Sequence, residues 1–96
     1  MTEIELKYPV EREGLSPLAR VTVRRPRVKD IAAMEAARDR GEIAAIAAAV
    51  ASMNGVPADV IEDMDAADFA RLSEVLVPFL TEAAGGEASS PKSPTS

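Results

Sequence analysis

The sequence predicts an α+β domain, mainly α, in which an N-terminal β-hairpin precedes three to four short helices and a disordered C-terminal tail. Three observations predict it. Apolar and polar residues alternate with period two only within the first 25 residues. From residue 30 onward the apolar residues recur at spacings of three and four. From Gly85 the composition turns to Gly, Ser and Pro. The 96 residues suffice for one small domain. It is expected over residues 1–84, with the hairpin at about 3–25 and the helices at about 30–82.

In the first strand Ile4, Leu6 and Tyr8 alternate with Glu3, Glu5 and Lys7, the pattern of a half-buried strand. Pro9 ends this strand or marks it as an edge, because proline cannot donate to a ladder. Glu13-Gly14 lies in a polar connection that turns the chain. Val21 and Val23 then alternate with Arg20, Thr22 and Arg24, and Pro26 closes the second strand. The loop is longer than those of the tightest hairpins.

Asp30 suits the N-cap of a first helix beginning Ile31-Ala32-Ala33-Met34-Glu35, with Ile31 and Met34 on one face. Gly41 interrupts or ends it. Ile43, Ile46, Ala47, Val50 and Met53 follow at helical spacing, and Asn54-Gly55 supplies a left-handed stop. Pro57 fits the first turn of a short helix through Val60 and Ile61. Asp65-Ala66-Ala67-Asp68 has the form of a capping box, ahead of Phe69, Leu72, Val75, Leu76, Phe79 and Leu80 on one stripe. Pro78, near the end of that helix, is expected to kink or stop it. Residues 85–96 have almost nothing to bury and are read as a disordered tail.

Composition narrows the function. The chain has no Cys and no His, which removes disulfides, thiolate metal sites, the commonest metal ligand and the commonest general base. Ser16, Ser52 and Ser73 therefore have no imidazole to activate them. No catalytic residue, cofactor site or metal site is expected, and the chain is read as a non-enzyme. The acids Glu62, Asp63, Asp65 and Asp68 cluster, and Mg²⁺ or Ca²⁺ takes such oxygen ligands. The alternating acids, central Gly and final Glu of a calcium loop are missing, so they read instead as acids favouring helix N-termini.

The net charge of −5 is unevenly spread. Residues 1–29 carry seven Lys/Arg against four Asp/Glu, whereas residues 30–96 carry four against twelve. That acidic body argues against nucleic acid as a partner. The longest apolar run, residues 43–51, is too short to span a bilayer, so no membrane association is expected. The N-terminus lacks the basic and apolar regions of a signal peptide, which leaves a cytoplasmic location.

Two candidate partner surfaces remain. One is the end of the last apolar stripe, Leu76, Phe79 and Leu80, which exceeds what a small alanine-rich core obviously covers and would suit a partner helix. The other is the basic stretch holding Arg24, Arg25 and Arg27, read either as a protein contact or as a solvated strand end that discourages edge pairing. The alanine-rich run of residues 44–51 permits close helix approach within the domain or between subunits, or is filler of high helix propensity. A chain with so thin a core commonly gains stability from a partner or from self-association, so a homo-oligomer is among the expected states.

The strings Gly41-Glu42-Ile43-Ala44-Ala45-Ile46, Val50-Ala51-Ser52-Met53-Asn54-Gly55-Val56-Pro57 and Asp63-Met64-Asp65-Ala66-Ala67-Asp68-Phe69-Ala70-Arg71-Leu72 resemble the phage tail assembly chaperone family of Mu-like prophages and related contractile-tailed phages. The resemblance extends over about residues 4–82, with Met64 standing where a leucine is expected. It implies a β segment ending near Pro26, an acid-led first helix, a helix ending in Gly, a short helix and an acid-capped last helix. It also implies a role in virion assembly: binding the tape measure protein and keeping it soluble in the bacterial host cytoplasm until tail tube protein, a second candidate partner, polymerises around it. Two other readings compete. One is a structural or adaptor subunit of a phage tail. The other is a helical transcription regulator, which would need basic residues on the exposed face of the last helix, where Arg71 stands among acids.

Overall fold

The computed structural model describes residues 2–14 and 16–83, with backbone alone at 82 and 83. The expected tail at 85–96 and the domain end at 84 lie outside the described residues. Strand β1 (Thr2–Val10) pairs antiparallel with β2 (Leu18–Val23). Helices α1 (Val28–Ala36), α2 (Glu42–Asn54), α3 (Ala58–Glu62) and α4 (Ala66–Ala83) follow, with one 3-10 turn at Arg38–Arg40. The expected class, a hairpin followed by helices, is the observed one.

A two-stranded hairpin is marginal in water, so this one needs a layer to lie on. Its inner residues Ile4, Leu6, Val10, Val21 and Val23 meet Ile46, Ala47 and Val50 of α2, Val60 and Ile61 of α3, and Leu72 and Leu76 of α4. Helix α2 is the axis of the domain. Every residue from Ala44 to Ala51 is buried, so the helix is enclosed on all sides rather than along one stripe. The alanines make this geometry feasible, because neighbours approach to the methyl rather than to a longer side chain. Of the readings open for the alanine run, close approach within the domain is the observed one. A second apolar cluster joins Met34 of α1 to Ala45 and Ala49, with Ile31 and Leu80 packed against it.

Local signals end the elements much as expected, with four corrections. Helix α1 begins three residues before the expected start: Arg27 is its N-cap and Asp30 occupies N3, accepting the Arg27 N–H at 2.8 Å. Pro57 precedes α3 as its N-cap rather than lying in its first turn. Pro78 neither ends α4 nor divides it; the helix runs on to Ala83. Pro9 does not end β1, which continues to Val10; of its two expected roles, marking an edge strand is the observed one. Its register breaks between Glu5, opposite Arg20, and Val10, opposite Leu18. Val10 keeps the phase of Ile4 and Leu6 on the inner face, whereas Tyr8, within the irregular stretch, is turned out and 54% exposed. At the other boundary Gly55 takes φ 66° after α2, and the Val56 N–H closes the helix on the Ala51 carbonyl at 3.1 Å.

Asn54, in the last turn of α2, fastens β2. The Thr22 N–H donates to Asn54 Oδ1 at 2.9 Å, and Asn54 Nδ2 donates to the Thr22 carbonyl at 3.1 Å and to the Val50 carbonyl at 2.8 Å. The side-chain amide thus completes the strand edge as a neighbouring backbone would. Asn54→Ala strips this edge of its partners and is expected to cost about 2 kcal/mol, the range for leaving half-buried backbone groups unpaired. A urea unfolding midpoint that does not move would show that water satisfies Thr22 equally well.

Candidate partner-binding face

Two buried carboxylates decide which charged residues remain at the surface. Asp30 is fully enclosed. It accepts Arg24 Nη1 at 2.6 Å, Ser52 Oγ at 2.6 Å and the Arg27 N–H at 2.8 Å. Burial alone would push its pKa up, but the bonds from Arg24, Ser52 and Arg27 outweigh burial and hold it below the usual carboxylate value. Arg24 is itself mostly covered. Asp68 accepts the Lys7 N–H at 3.1 Å, the Tyr8 N–H at 2.9 Å and Arg71 Nη2 at 2.6 Å. Burial again works against the charge, and these bonds again prevail to lower the pKa. Arg71 also donates to the Glu5 carbonyl at 3.1 Å. Asp68 therefore supplies the partners that the β1 bulge removes.

The expected capping box is corrected accordingly. Asp65 caps α4 alone, its Oδ2 accepting the Ala67 N–H at 3.0 Å, while Asp68 turns to the hairpin. The acidic cluster is dispersed over separate partners. Glu62 pairs with Arg40 at 3.2 Å and Asp63 with Arg12 at 2.8 Å. Among the described residues no group of three or more acids, His or Cys is arranged to hold a metal.

The candidate partner residues from the sequence separate in the fold. Leu76 is fully buried in the core, so it presents nothing to a partner. Arg24 is spent on Asp30. Phe79 and Leu80 are half-buried, Phe79 against the main cluster and Leu80 against both clusters. Arg25 and Arg27 have exposed side chains flanking Pro26. The last helix thus contributes Leu80 and Phe79 to a surface at its C-terminal end.

Two features of that surface were not read from the sequence. Ile43, assigned with Ile46 and Val50 to one helical face, is 69% exposed at the first turn of α2. Val77 is 42% exposed on α4. Each borders a hollow. The larger, of about 580 Å³, is lined by Ile43, Ala44, Ala47, Ile61, Met64, Ala66, Phe69 and Ala70, with Arg40 and Glu62 at its rim. The smaller, of about 190 Å³, is lined by Met34, Arg38, Glu42, Ala45, Ile46, Val77, Leu80 and Thr81. Among the described residues no helix is long and apolar enough to cross a membrane.

Hairpin, enclosed alanine-rich helix and apolar hollows define the class: a small α+β protein whose conspicuous surface features are apolar indentations among acids. The family follows from the sequence match. The family described as "Phage tail assembly chaperone proteins, E, or 41 or 14" matches residues 3–81. The chain belongs to this family of phage tail assembly chaperones. No curated protein and no solved structure matches it significantly. The family carries a chaperone role in phage tail and virion assembly.

Proposed function

We propose that this chain binds the tape measure protein and keeps it soluble in the host cytoplasm until tail tube protein polymerises around it. The observation that carries the reading is the pairing of family membership with unspent apolar surface on the helical layer. A long helical chain awaiting its tube exposes an apolar face and aggregates unless that face is covered. A helix-in-groove contact covers it with side chains at i, i+3, i+4 and i+7. Ile43, Val77 and Leu80, each at one of the two hollows, form the surface for such a contact. The net charge of −5 keeps the resulting complex soluble. Arg25 and Arg27, exposed beside the hairpin, form a second, polar contact.

A regulator acting on DNA is disfavoured by the fate of Arg71. It is the one basic residue of α4, and it is engaged by Asp68 and the Glu5 carbonyl. The test is to co-express the tagged chain with the longest coiled-coil-like reading frame encoded nearby and to ask whether the two co-purify. Co-purification at defined stoichiometry is the expected result. A chain recovered alone, but found instead in finished particles, would make it a structural or adaptor subunit.

A further inference from the structure

We propose that the hollows flanking the first turn of α2 seat a partner helix whose apolar face is bordered by lysine or arginine. This rests on the reading of the chain as a binder of a helical partner. It adds the location of the seat and the charge of what fits it.

The location follows from geometry. Ile43 is exposed although the eight residues from Ala44 to Ala51 behind it are buried, so the first turn of α2 stands proud of the core. The hollows lie on its two sides and share α4 as their wall, with Ala70 at the larger and Val77 at the smaller. Those two residues are seven apart, about 10 Å along a helix and two turns. A helix lying along α4 has the same repeat, so its residues i and i+7 reach one hollow each. Alanines 44 and 47 give the larger hollow its depth, since longer side chains there would fill it.

The charge follows from counting what is already paired. On the helical layer Arg38 is held by Glu35 at 3.0 Å, Arg40 by Glu62 at 3.2 Å and Arg71 by Asp68 at 2.6 Å. Three acids of the helical layer, Asp39, Glu42 and Glu74, have no ion pair among the described residues. Glu42 lines the smaller hollow, and Glu74 lies between Ala70 and Val77 on α4. Asp39 separates Arg38 from Arg40. Arg38 and Arg40 also line the hollows but are already paired, so the unpaired charge here, on Glu42 and on Glu74 along α4, is negative, and a helix flanked by acids would meet like charge there.

The test uses two synthetic amphipathic helices of identical apolar face, one flanked by Lys and one by Glu, titrated into the full chain by fluorescence anisotropy. The Lys-flanked peptide is expected to bind at least about ten-fold more tightly at low salt, the gap closing as added salt screens the rim. Ile43→Asp is expected to abolish most of that binding while leaving the thermal unfolding curve in place, because Ile43 lies outside the core. The double change Glu42→Lys with Glu74→Lys is expected to reverse the peptide preference. Equal affinity for both peptides, no binding of either, or unaltered binding by the Ile43→Asp chain would each overturn the proposal. The tape measure reading is judged separately. If tape measure protein co-purifies equally with the Ile43→Asp chain, the seat is wrong and the reading stands. If the peptide preference holds but tape measure protein does not co-purify, the seat stands and the reading falls.

Discussion

Leu72→Ala is expected to lower the unfolding free energy by about 3–4 kcal/mol, a large effect for a single truncation. Leu72 is fully buried in the main cluster and reaches from α4 into the seam between the hairpin and α2. The cluster it belongs to includes Ala47 and Ala51, whose methyl groups cannot extend into a vacated space. The hairpin is fixed by its clamps and cannot easily collapse inward. The loss therefore includes both the lost burial and an unrelaxed cavity. A single small domain has a total stability of about 5–10 kcal/mol, so the variant should be close to half unfolded at mildly elevated temperature. Equilibrium urea unfolding gives the comparison directly. Ile43→Ala, at an exposed position, should move the midpoint little. If the two variants were equally stable, the assignment of the core to the α4–hairpin seam would be wrong.

Asp30→Ala is expected to cost about 3 kcal/mol, the range for breaking a buried ion pair by removing one partner. Three groups lose their acceptor at once: the Arg24 guanidinium, the Ser52 hydroxyl and the Arg27 N–H. The mostly covered Arg24 charge is the costliest of them to strand. Adding Arg24→Ala to the same chain should therefore recover part of the loss, a coupling that a double-mutant cycle measures. The same site sets the response to acid. Asp30 and Asp68 both have pKa values lowered in the folded state relative to an ordinary value of 3.8. Their stabilisation is complete above that value and disappears as pH falls through the lower, folded values. The wild-type chain should accordingly lose stability steeply below about pH 4, and Asp30→Ala should flatten that slope. A slope unchanged by the substitution would mean that Asp30 is not held ionised by these bonds.

The hairpin and the succession of helices were legible because both announce themselves locally. Alternation at Ile4 and Leu6, the Gly55 stop and the stripe through Leu72 and Leu76 are patterns within a few residues. The features that escaped depend on distant partners. Asp68 looks like a helix-start acid in its local sequence, and its real acceptor role towards Lys7 and Tyr8 joins residues about sixty positions apart. The irregular stretch of β1 gives its Lys7 and Tyr8 N–H groups to Asp68, a partner that no strand pattern could reveal. Arg24 belongs to a basic stretch when read in line, yet it is an internal clamp once Asp30 is enclosed. Ile43 continues a helical stripe, and spacing alone does not tell which end of a stripe projects beyond the core. For the same reason the sequence offers the end of the last helix and the basic stretch as candidate surfaces, but not the exposed Ile43 at the first turn of α2.

The central claim is that unspent apolar surface on the helical layer keeps a long helical partner soluble. The most direct measurement is the soluble fraction of the tape measure protein, co-expressed with increasing amounts of this chain and separated by centrifugation. The account predicts that the soluble fraction rises with the chain to a plateau at fixed stoichiometry, and that the Ile43→Asp chain gives a much lower plateau while remaining folded. A tape measure protein that pellets to the same extent with and without the chain would contradict it.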